Sequence, residues 1–96
     1  MAEKLTQEER TAALAKLPEW KMAEDREAIH RQFKFPNFNA AFAFMTKVAM
    51  LAEKIDHHPE WSNVYNRVEV TLTTHDAKGI TVLDVKIAEF MNANAA

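Results

Sequence analysis

The chain has no cysteine, which excludes disulfides, thiolate catalysis and cysteine-rich zinc sites while saying nothing about redox compartment. Its only glycine, Gly79, closes the stretch Asp76 to Gly79, which reads as a turn. No apolar run approaches the ~20 residues that cross a bilayer. The opening MAEKLTQEER is polar and lacks the apolar centre of a secretory signal, so the expected location is the cytosol. Basic clusters are also missing: 12 Lys and Arg are mixed with 14 Asp and Glu, for a formal net charge of −2. Binding to phosphate backbones or anionic lipid needs clustered cations, so direct contact with nucleic acid or a membrane is not expected.

What is present is ordinary globular composition, 48% apolar and 27% charged, far from the signature of disorder. Ninety-six residues suit one domain, 1–96, built around one two-layer core. No repeat, linker or low-complexity segment interrupts it.

Thr6 followed by Glu9 forms a capping box, so a first helix runs from there to about Lys16, with Pro18 ending it. Trp20 to Met22 and Ala28 to Phe35 read as strands. In the second, Ile29, Arg31, Phe33 and Phe35 share one side, while His30, Gln32 and Lys34 share the other. Asn37 or Asn39 caps a long second helix through roughly Asp56. Phe38, Ala41, Phe42, Met45, Val48, Ala49, Ala52 and Ile55 give it a core stripe, which Phe44 and Leu51 widen to about half the circumference, against the ~100° that packing on one sheet requires. Either a partner helix or a thick core accounts for that excess. Ser62 to Thr74 alternates, with Val68, Val70 and Leu72 on one side and a possible break near Tyr65 and Asn66 that would make two strands of it. Thr81 and Asp84 open a last helix with another capping box. Short connections between such elements favour an antiparallel sheet with helices on one face.

The chemistry concentrates in AEKIDHHPEW, residues 52–61. Pro59 disfavours helical dihedrals at His58, so His57 and His58 lie at the C-terminus of the second helix, where the partial negative charge favours imidazolium. Glu53, four residues before His57, is expected to pair with it. That combination suits a proton donor. His75 follows Thr73 and Thr74 at the end of the last strand, where it can converge with the helix-end histidines. The bland alternative is two solvated histidines at a fraying helix end. A metal site on Glu53 and His57 is the weaker reading, since adjacent histidines usually point apart and HExxH is absent. Asp84 reads first as the helix partner of Thr81. Trp61 is placed as a pocket wall, with the core as its alternative, and Asp56, unfavourable against the helix dipole, marks a functional locality.

Taken together, Glu53, His57-His58-Pro59, Tyr65, His75 and Asp84 fall at the spacing that resembles the signature of pterin-4a-carbinolamine dehydratases. EAIHRQFKFPNFNAAFAFMTKVAMLAEKIDHHPEW is similar to the family's strand and central helix, and the likeness covers nearly the whole chain. Ser62 departs from the aromatic residue of many animal members. The resemblance implies an α+β fold of two layers, a four-stranded antiparallel sheet with three helices on one face in the order αββαββα. It implies dehydration of 4a-hydroxytetrahydropterin to quinonoid dihydropterin, in support of aromatic amino-acid hydroxylases. On that basis His57, His75 and Glu53 are the catalytic candidates, and His58, Trp61, Thr73, Thr74 and Asp56 the pterin-binding ones. No cofactor or metal is implied. Homodimers or homotetramers joined through the central helix are, as is, for some animal relatives, service as dimerisation cofactor of a homeodomain transcription factor, with nuclear as well as cytoplasmic location.

Overall fold

A computed structural model describes residues 2–95. Its elements are α1 (Gln7–Ala15), β1 (Lys21–Met22), β2 (Ile29–Lys34), α2 (Phe38–Lys54), β3 (Glu60–Val64), β4 (Arg67–Leu72) and α3 (Val82–Asn94). All strand pairs are antiparallel, in the order β1-β2-β4-β3. This is the expected α+β order, and the Tyr65-Asn66 break is indeed a hairpin turn, with Tyr65 in the left-handed region at φ 50°.

Local chemistry sets the ends of the helices. The Thr6 hydroxyl accepts from Glu9 N–H at 3.1 Å, and Glu9 accepts from Thr6 N–H at 2.9 Å. Asn37, rather than Asn39, caps α2, its side chain accepting from Ala40 N–H at 2.8 Å. Each bond satisfies a backbone donor that has no partner within the helix.

Period-two alternation divides the sheet. Ile29, Phe33, Val68, Val70 and Leu72 are buried against the helices, whereas His30, Gln32 and Glu69 lie exposed on the other face. Phe33 is the centre of the aromatic core, with ring centroids 4.9 Å from Phe44 and 5.9 Å from Trp20. Trp61 pairs in register with Val70 and therefore faces the same core, against which it packs partly buried.

The expected stripe of α2 is correct in width and wrong in its division. Phe44 is 2% exposed and belongs to the core with Ala41, Val48 and Ala52. Phe38, Phe42 and Ala49, expected inside, are exposed instead, and the rings of Phe38 and Phe42 pack against each other at a tilt, with centroids 5.6 Å apart. A helical wheel measures how wide an apolar sector is; which half meets the sheet depends on how the helix is rolled, and the wheel has no information on that.

Glu27 ties three segments together. Its carboxylate accepts from Arg10 Nη1 of α1 at 2.8 Å and from Ile80 N–H at 3.0 Å, while Lys4 approaches to 3.5 Å. Burial by itself would push this carboxyl up, but the Ile80 N–H and the charges of Lys4 and Arg10 outweigh it and hold the group below its ordinary value. Gly79 permits the approach, because a Cβ there would collide with the Glu27 carboxylate. Glu27→Gln should therefore cost about 1–2 kcal/mol near neutral pH. A lowered folded value means that this contribution is complete above the ordinary carboxyl value of 4.5 and disappears as pH falls through the folded one. Urea unfolding of wild type and variant should thus differ at neutral pH and converge in acid. Gly79→Ala should cost less in a Glu27→Ala background than in wild type, since the colliding group is then gone.

Candidate active site

Helix α2 ends in a Schellman motif. Asp56 adopts the left-handed conformation, with φ 53°. His57 N–H then bonds Ala52 O at 2.9 Å and Asp56 N–H bonds Glu53 O at 3.3 Å, satisfying two carbonyls of the last turn. An aspartate tolerates this backbone better than most residues, which explains its presence against the helix dipole. The motif swings His57 inward, where it is 9% exposed, and leaves His58 outside.

This turn also changes the pairing expected for Glu53. Its Oε1 lies 2.9 Å from Nε2 of His58, not of His57. The i, i+4 relation holds only while both residues are helical; once the chain leaves the helix at Ile55 and Asp56, the residue beside Glu53 is one position further on. Both partners are solvent-exposed, at 83% for Glu53 and 56% for His58, so the pair orients rather than stabilises.

His57 is held by Asp84. Nε2 lies 2.6 Å from Asp84 Oδ1, while Oδ2 accepts from the Thr74 hydroxyl at 2.7 Å and from Thr81 N–H at 2.9 Å. Asp84 is fully buried at the first turn of α3, where a negative group meets the positive end of the helix dipole. An ionised carboxylate only accepts, so with Asp84 in that form His57 donates to it from Nε2. Nδ1 is the ring nitrogen that Asp84 does not engage. Asp84 is thus both the cap partner of Thr81 and the support of His57.

On the opposite side, β4 runs into a turn in which Thr74 bridges Gly79 and Lys78 N–H bonds His75 O at 3.1 Å. Lys78, at φ 57°, completes the reversal. His75 is presented at its rim. His57, His58, His75, Thr73, Thr74 and Asp56 all line one cavity of about 490 Å³. Glu53 and Trp61 do not line it. Trp61 is excluded because its register with Val70 turns it to the core. The two threonine hydroxyls face inward to protein partners, Thr73 to Glu27 O at 2.9 Å and Thr74 to Asp84 and Thr81.

Ala2, Ile55, Glu60, Asp76 and Leu83 complete the lining, and none of them was legible as a site residue. Their signal is tertiary, apart from Glu60, which lies within the histidine stretch. Arg26 of the β1–β2 loop binds both oxygens of Glu60. The hydrogen bond from Arg26 holds the Glu60 carboxyl below its ordinary value against partial burial, with the charges of Arg26 and His75 adding to it. Glu60 in turn raises the Arg26 guanidinium. A larger groove, about 670 Å³, runs between α1 and α3 past Leu5, Ala13, Val82 and Val85, but no histidine faces it. Among the described residues no three His, Asp or Glu side chains converge as metal ligands would. No helix there is long and apolar enough to cross a membrane.

A profile of the pterin 4 alpha carbinolamine dehydratase family matches residues 3–94. The chain belongs to that family. A relative from Bordetella avium whose name places it among the pterin-4-alpha-carbinolamine dehydratases is 55% identical over 96 residues, covering 100% of this chain and 89% of the relative. One so named from Rhodopseudomonas palustris is 60% identical over 96 residues, covering 100% and 95%. A crystal structure from Brucella melitensis, described as a transcriptional coactivator/pterin dehydratase, superposes with a TM-score of 0.94 at 53% identity, over 98% of this chain and 100% of the other. The family is one of hydro-lyases, as the resemblance implied. Of its signature residues, Tyr65 stands apart from the cavity, 61% exposed on the hairpin turn.

Removing Asp84 leaves the Thr74 hydroxyl, the Thr81 N–H and the His57 ring without their buried partner. Asp84→Ala should therefore lower unfolding stability by about 2–4 kcal/mol in denaturant titration. Glu53→Ala, which breaks only an exposed pair, should change it by less than about 1 kcal/mol.

Proposed function

We propose that this chain removes water from 4a-hydroxytetrahydropterin to give quinonoid dihydropterin, with His57 and His75 exchanging the protons. The observation that supports the reading is the convergence of a buried, carboxylate-held histidine and a strand-end histidine on one cavity. In the reaction the C4a–O bond breaks, the 4a-oxygen takes a proton and leaves as water, and N5 loses its hydrogen as the C4a–N5 double bond forms. No electron is exchanged with another molecule, so the step asks only for a proton donor and a proton acceptor. As imidazolium, His57 keeps Nε2–H on Asp84 and gives its Nδ1 proton to the departing hydroxyl. His75 is the partner acid/base. His58, steadied by Glu53, orients the ring, and Ile55 and Leu83 offer it apolar contact. Asp56 shapes the cavity through its backbone, and Thr73 and Thr74 through their buried hydroxyl bonds. Such an enzyme would regenerate pterin for aromatic amino-acid hydroxylases in the cytoplasm.

Dehydration followed by ultraviolet absorbance tests this. His57→Ala and His75→Ala should each lower kcat by about 10²- to 10⁴-fold. Glu53→Ala, acting only through exposed His58, should lower kcat/KM by less than about tenfold. Wild-type turnover in both histidine variants would refute the assignment.

A second reading concerns assembly. Phe38, Phe42 and Met50 of α2 are 44%, 53% and 71% exposed, an apolar surface beyond what the core uses. We propose that copies of the chain associate through this face of the central helix as a homodimer or homotetramer, with a transcription-factor partner as the alternative occupant. Phe42→Lys should lower the mass seen by light scattering while leaving the circular dichroism unchanged; an unchanged mass would refute it.

A further inference from the structure

We propose that Glu60 recognises the amino-pyrimidinone edge of the pterin, accepting from its 2-amino group through one carboxylate oxygen; this rests on the reading of the cavity as a pterin site. The 2-amino group is a donor, and a bond from it to an ionised carboxylate oxygen is among the stronger neutral-to-charged contacts. The cavity holds three carboxylates, from Asp56, Glu60 and Asp76. Among the described residues, only Glu60 is fixed by a side-chain partner, the guanidinium of Arg26, which reaches it from the β1–β2 loop and contacts both oxygens. Arg26, meeting both oxygens, takes the two lone-pair directions that run parallel, and one outward direction on each oxygen remains, enough for a single ligand donor. An acceptor already held in place loses little freedom on binding, which favours it over the unanchored aspartates.

Four of the other polar side chains of the cavity are committed within the protein. The threonine hydroxyls bond within the protein, His58 bonds Glu53, and His57 bonds Asp84. Glu60 also lies close enough to His75 for the imidazole charge to act on it. In the pterin, N5 and C4a are one ring's width from N3. A ligand anchored at Glu60 would thus have its reacting atoms within the same cavity as the proton-transferring histidines.

Calorimetric titration with a stable dihydropterin and with the matching lumazine, in which an oxo group replaces the 2-amino group, tests the proposal. Wild type should bind the pterin at least about tenfold more tightly, since the oxo group sets acceptor against acceptor. Glu60→Gln, equal in shape, should weaken pterin binding by about tenfold or more and bring the pterin-to-lumazine ratio close to one, because its amide can donate to the oxo group. Arg26→Ala, which keeps the carboxylate but frees it, should weaken pterin binding by a smaller factor and preserve the preference. Unchanged affinity and preference in Glu60→Gln, with wild-type dehydration intact, would overturn this inference alone. Failure of wild type both to bind the dihydropterin and to dehydrate the carbinolamine would overturn it together with the pterin reading.

Discussion

A buried carboxylate has to be met by donors from every side, and in this protein that requirement falls on Asp84. Its three partners come from the start of α3, the end of β4 and the end of α2. An unpartnered charge in that position would be costly, so the geometry that satisfies Asp84 also decides where its partners stand. His57 is one of them. The same contact that completes the core below the cavity therefore orients the ring and fixes which of its nitrogens Asp84 leaves unengaged.

Around that contact the site is made from chain ends. Helix α2 stops in a left-handed residue, β4 stops in a turn around His75, and β3 begins with Glu60 clasped to the β1–β2 loop. Chain ends are where side chains escape the packing of a helix or sheet, and each of these is locked by backbone or charged hydrogen bonds. The result is a cavity with groups of different freedom. His57 is rigid and buried, Glu60 is clamped, and His58 is exposed on a solvent-screened pair. Division of that kind suits a reaction in which one group must hold its geometry while others receive and release the substrate.

Much of the fold was readable because it rests on local rules. The capping boxes at Thr6 and Thr81, the cap at Asn37 and the alternation through β2 and β4 each depend on residues within a few positions of one another. The errors share one cause. Glu53 was matched to His57 on the premise of an unbroken helix, and Asp56 breaks it. Trp61 was put in the pocket for its nearness in sequence to the histidines, whereas strand register turned it the other way. Phe44 and Phe42 exchanged places because the roll of α2 is decided by the sheet beneath it.

By itself, then, the sequence determined the elements, the caps that bound them and the wet faces of β2 and β4, since these follow from short-range stereochemistry and periodicity, while the spacing of the histidines carried the resemblance to the family. Tertiary structure alone decided that His57 leans on Asp84, 27 positions away, that Arg26 clamps Glu60, 34 away, and that Leu83 and Ala2 wall the same cavity. The reason is physical. A polar or charged group left in a forming core takes whichever complementary partner packing brings within about 3 Å, and packing depends on the whole chain at once.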